Sequence, residues 1–254
     1  MSDYDRGLPR SVTAGAADMA VDAGLRGFML GVYNKLALGL VLAAAVAWTV
    51  GNVPAVTQLM FRFVGDRPVG YTPLGLAVAF APLVLILFSG FFMRRPTAAG
   101  SSLLYWAVVT LIGASLGVLF LVYAGASLAS TFLITATAFG ALSLFGYATK
   151  RDLTGMGSFL IMGVWGLVGA SLLTFLFGGL YSNPLFYFVF NLLGVLIFSG
   201  LIAWKTQELK MTYYALGGDQ TSMAVATNYG ALTLFISFVN LFRFILAFTG
   251  GGRR

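Results

Sequence analysis

Carboxylates that could bind or pass a cation are few in this sequence, and they lie outside its apolar segments. Four of the eight acids fall within the first 22 residues, and the other four lie in connections or at segment ends, at Asp66, Asp152, Glu208 and Asp219. Ion channels and proton-coupled transporters usually hold cations with Asp or Glu inside the membrane. Any conduction through this chain would therefore use backbone carbonyls and hydroxyl groups.

Side chains suited to catalysis are also scarce. The chain contains no Cys and no His, which excludes a thiolate nucleophile, a zinc–thiolate site and the commonest general base. Without an acid inside an apolar segment, no obvious pair of nucleophile and base remains. We therefore predict that the chain is not an enzyme and that it holds neither a cofactor nor a metal ion.

Two basic residues stand nearest the interiors of apolar segments. Lys35 lies about two turns into the first segment, and its long side chain favours reaching back to the nearer interface. Arg243 lies in the last third of the last segment, after Ser237 and Asn240. It either reaches outward or is held by carbonyls, so Asn240 and Arg243 are candidate polar residues of a bundle interior. An intramembrane cation is a functional candidate by default.

The composition is that of a membrane protein. Of 254 residues, 59% are hydrophobic and 9% are charged, and the mean hydropathy is +0.91. A soluble domain is about a quarter charged, so a soluble enzyme and a disordered protein are both excluded. The net charge is +7, yet basic residues occur at most two in a row, between apolar segments. This pattern is typical of loops that orient a membrane protein, and it indicates no nucleic-acid partner.

Seven apolar segments follow one another along the chain, each close to the ~20 residues that a membrane-spanning helix needs. They cover residues 28–50, 72–93, 103–124, 128–148, 156–177, 185–204 and 229–248. A strand of a membrane barrel is about half as long and alternates apolar with polar residues, which these segments do not. The sequence therefore predicts an all-α fold, a polytopic integral membrane protein with a bundle of seven transmembrane helices in the lipid bilayer.

The two ends of the chain differ from this core. Residues 1–27 are predicted to be a cytosolic leader, in which Ala16–Gly27 forms a short interfacial helix or the whole segment is a mobile tail. Residues 28–250 are the predicted membrane domain, and 251–254 are a short basic tail. With the N-terminus in the cytoplasm, nine Lys or Arg face inward and four outward. This asymmetry favours a cytoplasmic N-terminus and, with seven spans, an external C-terminus.

Three linked motifs resemble one known family. The first is Phe-Gly-Tyr-Ala-Thr-Lys-Arg-Asp-Leu at 145–153, the second is Ile-Ala-Trp-Lys-Thr-Gln-Glu-Leu-Lys at 202–210, and the third is Gly-Ala-Leu-Thr-Leu-Phe-Ile-Ser-Phe-Val-Asn-Leu-Phe at 230–242. In this order and spacing they resemble the bacterial branch of the Bax inhibitor-1 family, the transmembrane Bax inhibitor motif proteins, over about residues 28–250. The resemblance implies a bundle whose seventh helix is central, and a place in the cell inner membrane.

The resemblance also implies a chemistry that this sequence has altered. Family members are described as pH-sensitive calcium leak pathways, and the leak is attributed to two aspartates, near the end of the sixth helix and in the seventh, that share a proton. The matching positions here are Lys205 and Ser237, so shared-proton gating cannot occur at them. Lys205 either fills the old site and holds the bundle closed, or lies just outside the sixth span, pairs with Glu208 and faces solvent. We favour the second interpretation.

Three functional hypotheses follow from these observations. The first is a leak for calcium or another cation, or an ion-homeostasis role, with the paired-aspartate sensor replaced. The alternative is a non-transporting protein that binds or modulates a membrane-anchored AAA protease, because some bacterial family members inhibit such a protease through their N-terminal tail. The third is a secondary transporter of a neutral or anionic solute, helped by Lys205 and Arg243, but the two halves of the chain show no internal repeat that would support it.

Overall fold

Long helices dominate the computed structural model, which describes residues 10–65, 67–92, 96–177 and 180–250. Within these residues, seven helical spans are long and apolar enough to cross a membrane, so the predicted all-α class and number of spans are confirmed. The helices are α1 (Arg10–Asn52), α2 (Pro54–Met60), α3 (Pro73–Phe92), α4 (Ala98–Leu116), α5 (Val118–Val122), α6 (Gly125–Ala148), α7 (Thr154–Phe177), α8 (Pro184–Leu216) and α9 (Gln220–Thr249).

The first helix is much longer than the predicted span. It runs without interruption from Arg10 to Asn52, across the predicted boundary at residue 27. Residues 10–27 are therefore continuous with the helix of the first span, because no proline interrupts them and an established helix extends one hydrogen bond per added residue. At about 1.5 Å per residue, α1 is about 65 Å long, roughly twice the thickness of the hydrocarbon core. Residues 1–9 and the predicted tail 251–254 lie outside the described residues.

The last helix, α9, forms the centre of the bundle. More than half of its most apolar stretch is buried (56%), against a third or less for every other span. It packs against α1, α4, α6 and α8, and its apolar residues Leu234, Phe235 and Leu241 are completely enclosed. The central position predicted for the seventh span is therefore confirmed.

A tight turn joins α8 to α9. Gly217 and Gly218 adopt positive φ angles of 56° and 88°, which glycine reaches without steric cost. The Asp219 carboxylate then caps α9 by accepting a hydrogen bond of 2.8 Å from the Ser222 backbone N–H. Both helices extend well past the predicted segment ends at Trp204 and Tyr229, because the helical backbone continues after the apolar run has stopped.

Basic side chains gather at one end of the bundle. The end at which α1, α4, α7 and α9 begin carries Arg26, Lys150, Arg151, Lys205 and Lys210, and we call it the basic end. At the opposite end, the connection between α1 and α3 forms an antiparallel hairpin of β1 (Phe61–Val64) and β2 (Arg67–Tyr71) that the sequence analysis did not predict. Its strands have only four and five residues, too few to be recognised in the sequence between apolar segments of ~20 residues.

Glycine lets α4 lie directly against α1. A Cβ atom at Gly113 would stand 2.8 Å from the Cα of Ala43, closer than any side chain allows. One turn later Gly117 meets Val50 in the same way, and here α4 gives way to α5 within one span. Small residues that bring two backbones together are the usual means of packing helices within lipid.

Candidate functional site

The residue at the first altered motif position, Lys205, lies on α8 near the basic end. Its ammonium group donates a hydrogen bond of 2.5 Å to the Glu208 carboxylate, one turn along the helix. The same ammonium stands 4.0 Å from the centre of the Trp204 ring, a cation–π contact. The predicted pairing with Glu208 is therefore confirmed. The helix α8 continues past Lys205 to Leu216, so the position of Lys205 just outside the sixth membrane span stays a prediction.

The second altered position, Ser237, lies inside the bundle on α9. Its side chain is buried, and its hydroxyl donates a hydrogen bond of 2.9 Å to the Thr233 carbonyl of the same helix. No hydrogen bond among the described residues joins it to Lys205. Ser237 therefore packs as a small polar residue inside the bundle, which is a common role of serine within membrane helices.

A small cavity of about 220 Å³ connects the two motif segments. Its α8 wall includes Lys205, Glu208 and Thr212, and its α9 wall includes Tyr229 and Thr233. Ser237 follows Thr233 by one helical turn, deeper in the bundle. Glu208 is the one carboxylate in this lining, so the cavity brings a cation, an anion and several hydroxyl groups to the basic end of α9. We call it the Lys205 cavity.

Lys35, the cation in the first span, makes contacts that the sequence analysis missed. The Lys35 ammonium donates a hydrogen bond of 3.0 Å to the Ser102 hydroxyl on α4 and another to the Asn228 side-chain carbonyl on α9. It also stands 5.2 Å from the centre of the Tyr105 ring. The Lys35 side chain therefore links α1 to α4 and α9, and its reach toward the nearer interface stays a prediction.

Asn228 completes this polar network. Its amide group donates hydrogen bonds to the Ala98 carbonyl at 3.0 Å and to the Ser101 hydroxyl at 2.7 Å. The Tyr105 hydroxyl donates to the carbonyl of Lys35 at 2.6 Å. Asn228 therefore bonds to both α1 and α4. Its partners could not be found, because they are more than 100 residues away in the chain.

Arg243 does not lie inside the bundle, as one of the two alternatives had it, and the Asn240 amide bonds within its own helix. The Arg243 side chain is exposed near the end of α9. Burial raises the pKa of the Tyr71 phenol at the end of β2, and the nearby charge of Arg243 opposes that rise. Arg243 therefore reaches outward toward the hairpin, since a long side chain this close to a helix end can leave the bundle. The Asn240 amide donates to the Ile236 carbonyl of α9 at 2.8 Å.

Comparison with known proteins identifies the family of this chain. A family model described as "Inhibitor of apoptosis-promoting Bax1" matches residues 25–254. The chain belongs to the Bax inhibitor-1 family. An uncharacterized protein of Caulobacter vibrioides is 60% identical over 253 residues, which cover 100% of both chains. The resemblance inferred from the three motifs is thus confirmed for the family.

A second relative bears on location. A protein of Escherichia coli named inner membrane protein YbhL is 39% identical to this Bax inhibitor-1 family member over 232 residues, which cover 91% of this chain and 94% of YbhL. An uncharacterized protein of Rickettsia prowazekii is also 39% identical, over 100% of both chains. Together with the seven spans, these likenesses identify a bacterial multi-pass membrane protein. The direction in which its termini face stays a prediction.

Proposed function

We propose that this chain is an ion-homeostasis protein of the bacterial inner membrane, with a cation leak path that runs beside α9 and is closed by Lys205 at the basic end. The observation that carries the proposal is the Lys205 cavity, which lies between the two segments that hold the altered motif positions. Calcium is the cation that the family resemblance favours. The path has lost its paired carboxylates, so its opening does not depend on a shared proton.

Electrostatics supports Lys205 as the closing element. A cation at about 4 Å from an ammonium group is repelled by about 4 kcal/mol at an effective dielectric constant near 20, before screening by salt. The closing contact is also weak, because side chains that are 24% and 47% exposed form the ion pair. Pairs with this degree of exposure contribute about 0.2–1 kcal/mol, so Lys205 can leave Glu208 without unfolding any part of α8.

The test is calcium flux into proteoliposomes between pH 5 and 8. The natural protein should leak slowly and at the same rate at each pH, and Lys205→Gln should leak at least tenfold faster. The double change Lys205→Asp with Ser237→Asp should leak in a pH-dependent way. Lys150→Gln removes a charge at the same basic end outside the cavity, and it should match the natural protein.

Two outcomes would contradict the proposal. If Lys205→Gln and the natural protein both match protein-free liposomes, the cavity is no part of a leak path. If the natural protein already leaks with a steep pH dependence, the sensor does not reside at the two altered positions.

A second candidate function, binding of a membrane-anchored AAA protease, is favoured by the length of α1. The helix is about twice as long as the hydrocarbon core is thick, so its first turns stand clear of the bilayer at the basic end. A helix held out in this way is accessible to a protease that grips an N-terminal segment. Deletion of residues 2–22 should abolish co-purification with such a protease, and equal recovery of both proteins would refute this function.

A further inference from the structure

A groove runs between α1 and α6 along the outside of the central helix. Both helices pack against α9 and make few contacts with each other. Two cavities follow one another in the gap between them. One of about 530 Å³ extends from Arg26 to Tyr33 on α1 and from Phe139 to Tyr147 on α6. The other, of about 430 Å³, continues toward the hairpin end as far as Ala47, and its walls include Phe238 of α9, Leu116 of α4 and Phe120 of α5.

The groove has the polarity of a lipid tail site and is long enough for one tail. From Arg26 to Ala47 the two cavities follow 21 residues of α1, about 32 Å at 1.5 Å per residue. A tail that enters at the basic end and crosses half of the ~30 Å hydrocarbon core would fill the first cavity, from Arg26 to Tyr33, and reach toward the second. Its walls are mainly aliphatic and aromatic. Gly140 widens it, because a Cβ atom there would meet nothing within 4 Å. An apolar chain lying in the groove would cover this part of α9.

The mouth of the groove at the basic end is positively charged. Arg26 is part of the wall, and Lys150 with Arg151 directly follows the end of α6. The Lys210 ammonium stands 5.2 Å from the centre of the ring of Tyr147, another wall residue. Basic pockets between membrane helices are suited to phosphate-containing lipid head groups. The basic mouth and the apolar groove therefore both fit a lipid with a phosphate-containing head group.

A buried hydroxyl in the same groove lacks a partner. Ser143 lies on α6 in the groove wall, and its Oγ is the one buried side-chain oxygen or nitrogen in the described part of the chain without a hydrogen-bond partner. A buried polar group without a partner costs about 1–3 kcal/mol. An ester or phosphate oxygen of a lipid can accept a bond from this hydroxyl once the side chain turns toward the groove. We propose that the groove binds one phospholipid with an anionic head group at the basic end.

The test measures lipid retention by the full-length protein in detergent. Native mass spectrometry would follow titration with phosphatidylglycerol and, separately, with phosphatidylcholine. Gly140→Leu should lower retention of both lipids at least tenfold by filling the groove. Arg26→Gln should weaken phosphatidylglycerol about fivefold and leave phosphatidylcholine unchanged. Gly166→Leu on α7, where a Cβ also meets nothing within 4 Å, and Arg62→Gln in the hairpin are the matched controls.

A second measurement does not depend on the folding of any variant. A phosphatidylglycerol analogue with a photoreactive tail, irradiated in proteoliposomes, should label Leu30 and Leu144 in the groove more strongly than Leu172 on α7, although all three leucines are exposed. Even labelling of the three leucines would overturn the proposal. So would a Gly140→Leu protein that elutes as the natural protein does and retains as much phosphatidylglycerol, or equal retention of the two lipids by the natural protein.

Discussion

Replacing Asn228 by alanine should destabilise the bundle more than the loss of an amide that bonds only within its own helix. The change removes the acceptor for the Lys35 ammonium and the donor for two bonds to α4, at Ala98 and Ser101. Interhelical hydrogen bonds in membrane proteins contribute about 0.6 kcal/mol each on average, and a bond to a charged group about 1.5–3 kcal/mol. The free energy of unfolding should therefore fall by about 3 kcal/mol.

The control is Asn240→Ala, because the Asn240 amide donates to a carbonyl of its own helix. That variant should lose less than about 1 kcal/mol. The assay is reversible unfolding by sodium dodecyl sulfate in mixed micelles, followed by circular dichroism.

A double-mutant cycle with Lys35→Met isolates the charged bond. Once the ammonium is removed, Asn228→Ala should cost about 1.5 kcal/mol less than in the natural protein. If the two changes add within about 0.5 kcal/mol, the ammonium and the amide do not stabilise each other. If Asn240→Ala lowers the free energy of unfolding as much as Asn228→Ala does, the network between the three helices adds no stability beyond that of a bond within one helix.

Two further changes test the packing of α4 and the start of α9. Gly113→Val forces a side chain against Ala43 and should cost about 1–3 kcal/mol in the same unfolding assay, whereas Gly166→Val on α7 should fold normally; equal stability of the two variants would contradict the close approach. The hydrogen bond from Ser222 holds the pKa of the Asp219 carboxyl below its usual range, so its stabilisation is present above the unfolded pKa of about 3.9 and is lost as the pH falls through the lower folded value. Asp219→Asn should therefore weaken the decline in melting temperature on acidification below pH 4, and an unchanged decline would mean that the cap does not contribute.

The spans were predictable and their ends were not. Hydropathy identifies a helix that lipid must surround, so seven segments of ~20 residues predicted seven spans. A helix can continue after its apolar residues have ended, so α8 passes Trp204 and α9 begins before Tyr229. The hairpin was not predicted, because strands of four and five residues are too short to give a hydropathy pattern of their own.

In the candidate site, contacts between residues close in sequence were predictable, and contacts between residues far apart in sequence were not. The pairing of Lys205 with Glu208 was predictable, because residues three apart on a helix are neighbours. The network around Lys35 was not, since its partners are 67 and 193 residues away in sequence. Arg243 was ambiguous from sequence alone, because a long cationic side chain near a helix end can turn either way.

The central position of α9 has a consequence for how the protein is made. A ribosome releases this helix after six other spans, of which those formed by α1, α4, α6 and α8 pack against it, so these four enter the bilayer before their common neighbour exists. Each is long and apolar enough to remain there as an independent helix. Lateral assembly of the inserted helices is a separate and later stage, and for this bundle it cannot be completed until α9 has been inserted. During translation the nascent chain therefore lacks its central packing surface, and the inner faces of α1, α4, α6 and α8 stay uncovered until α9 is inserted.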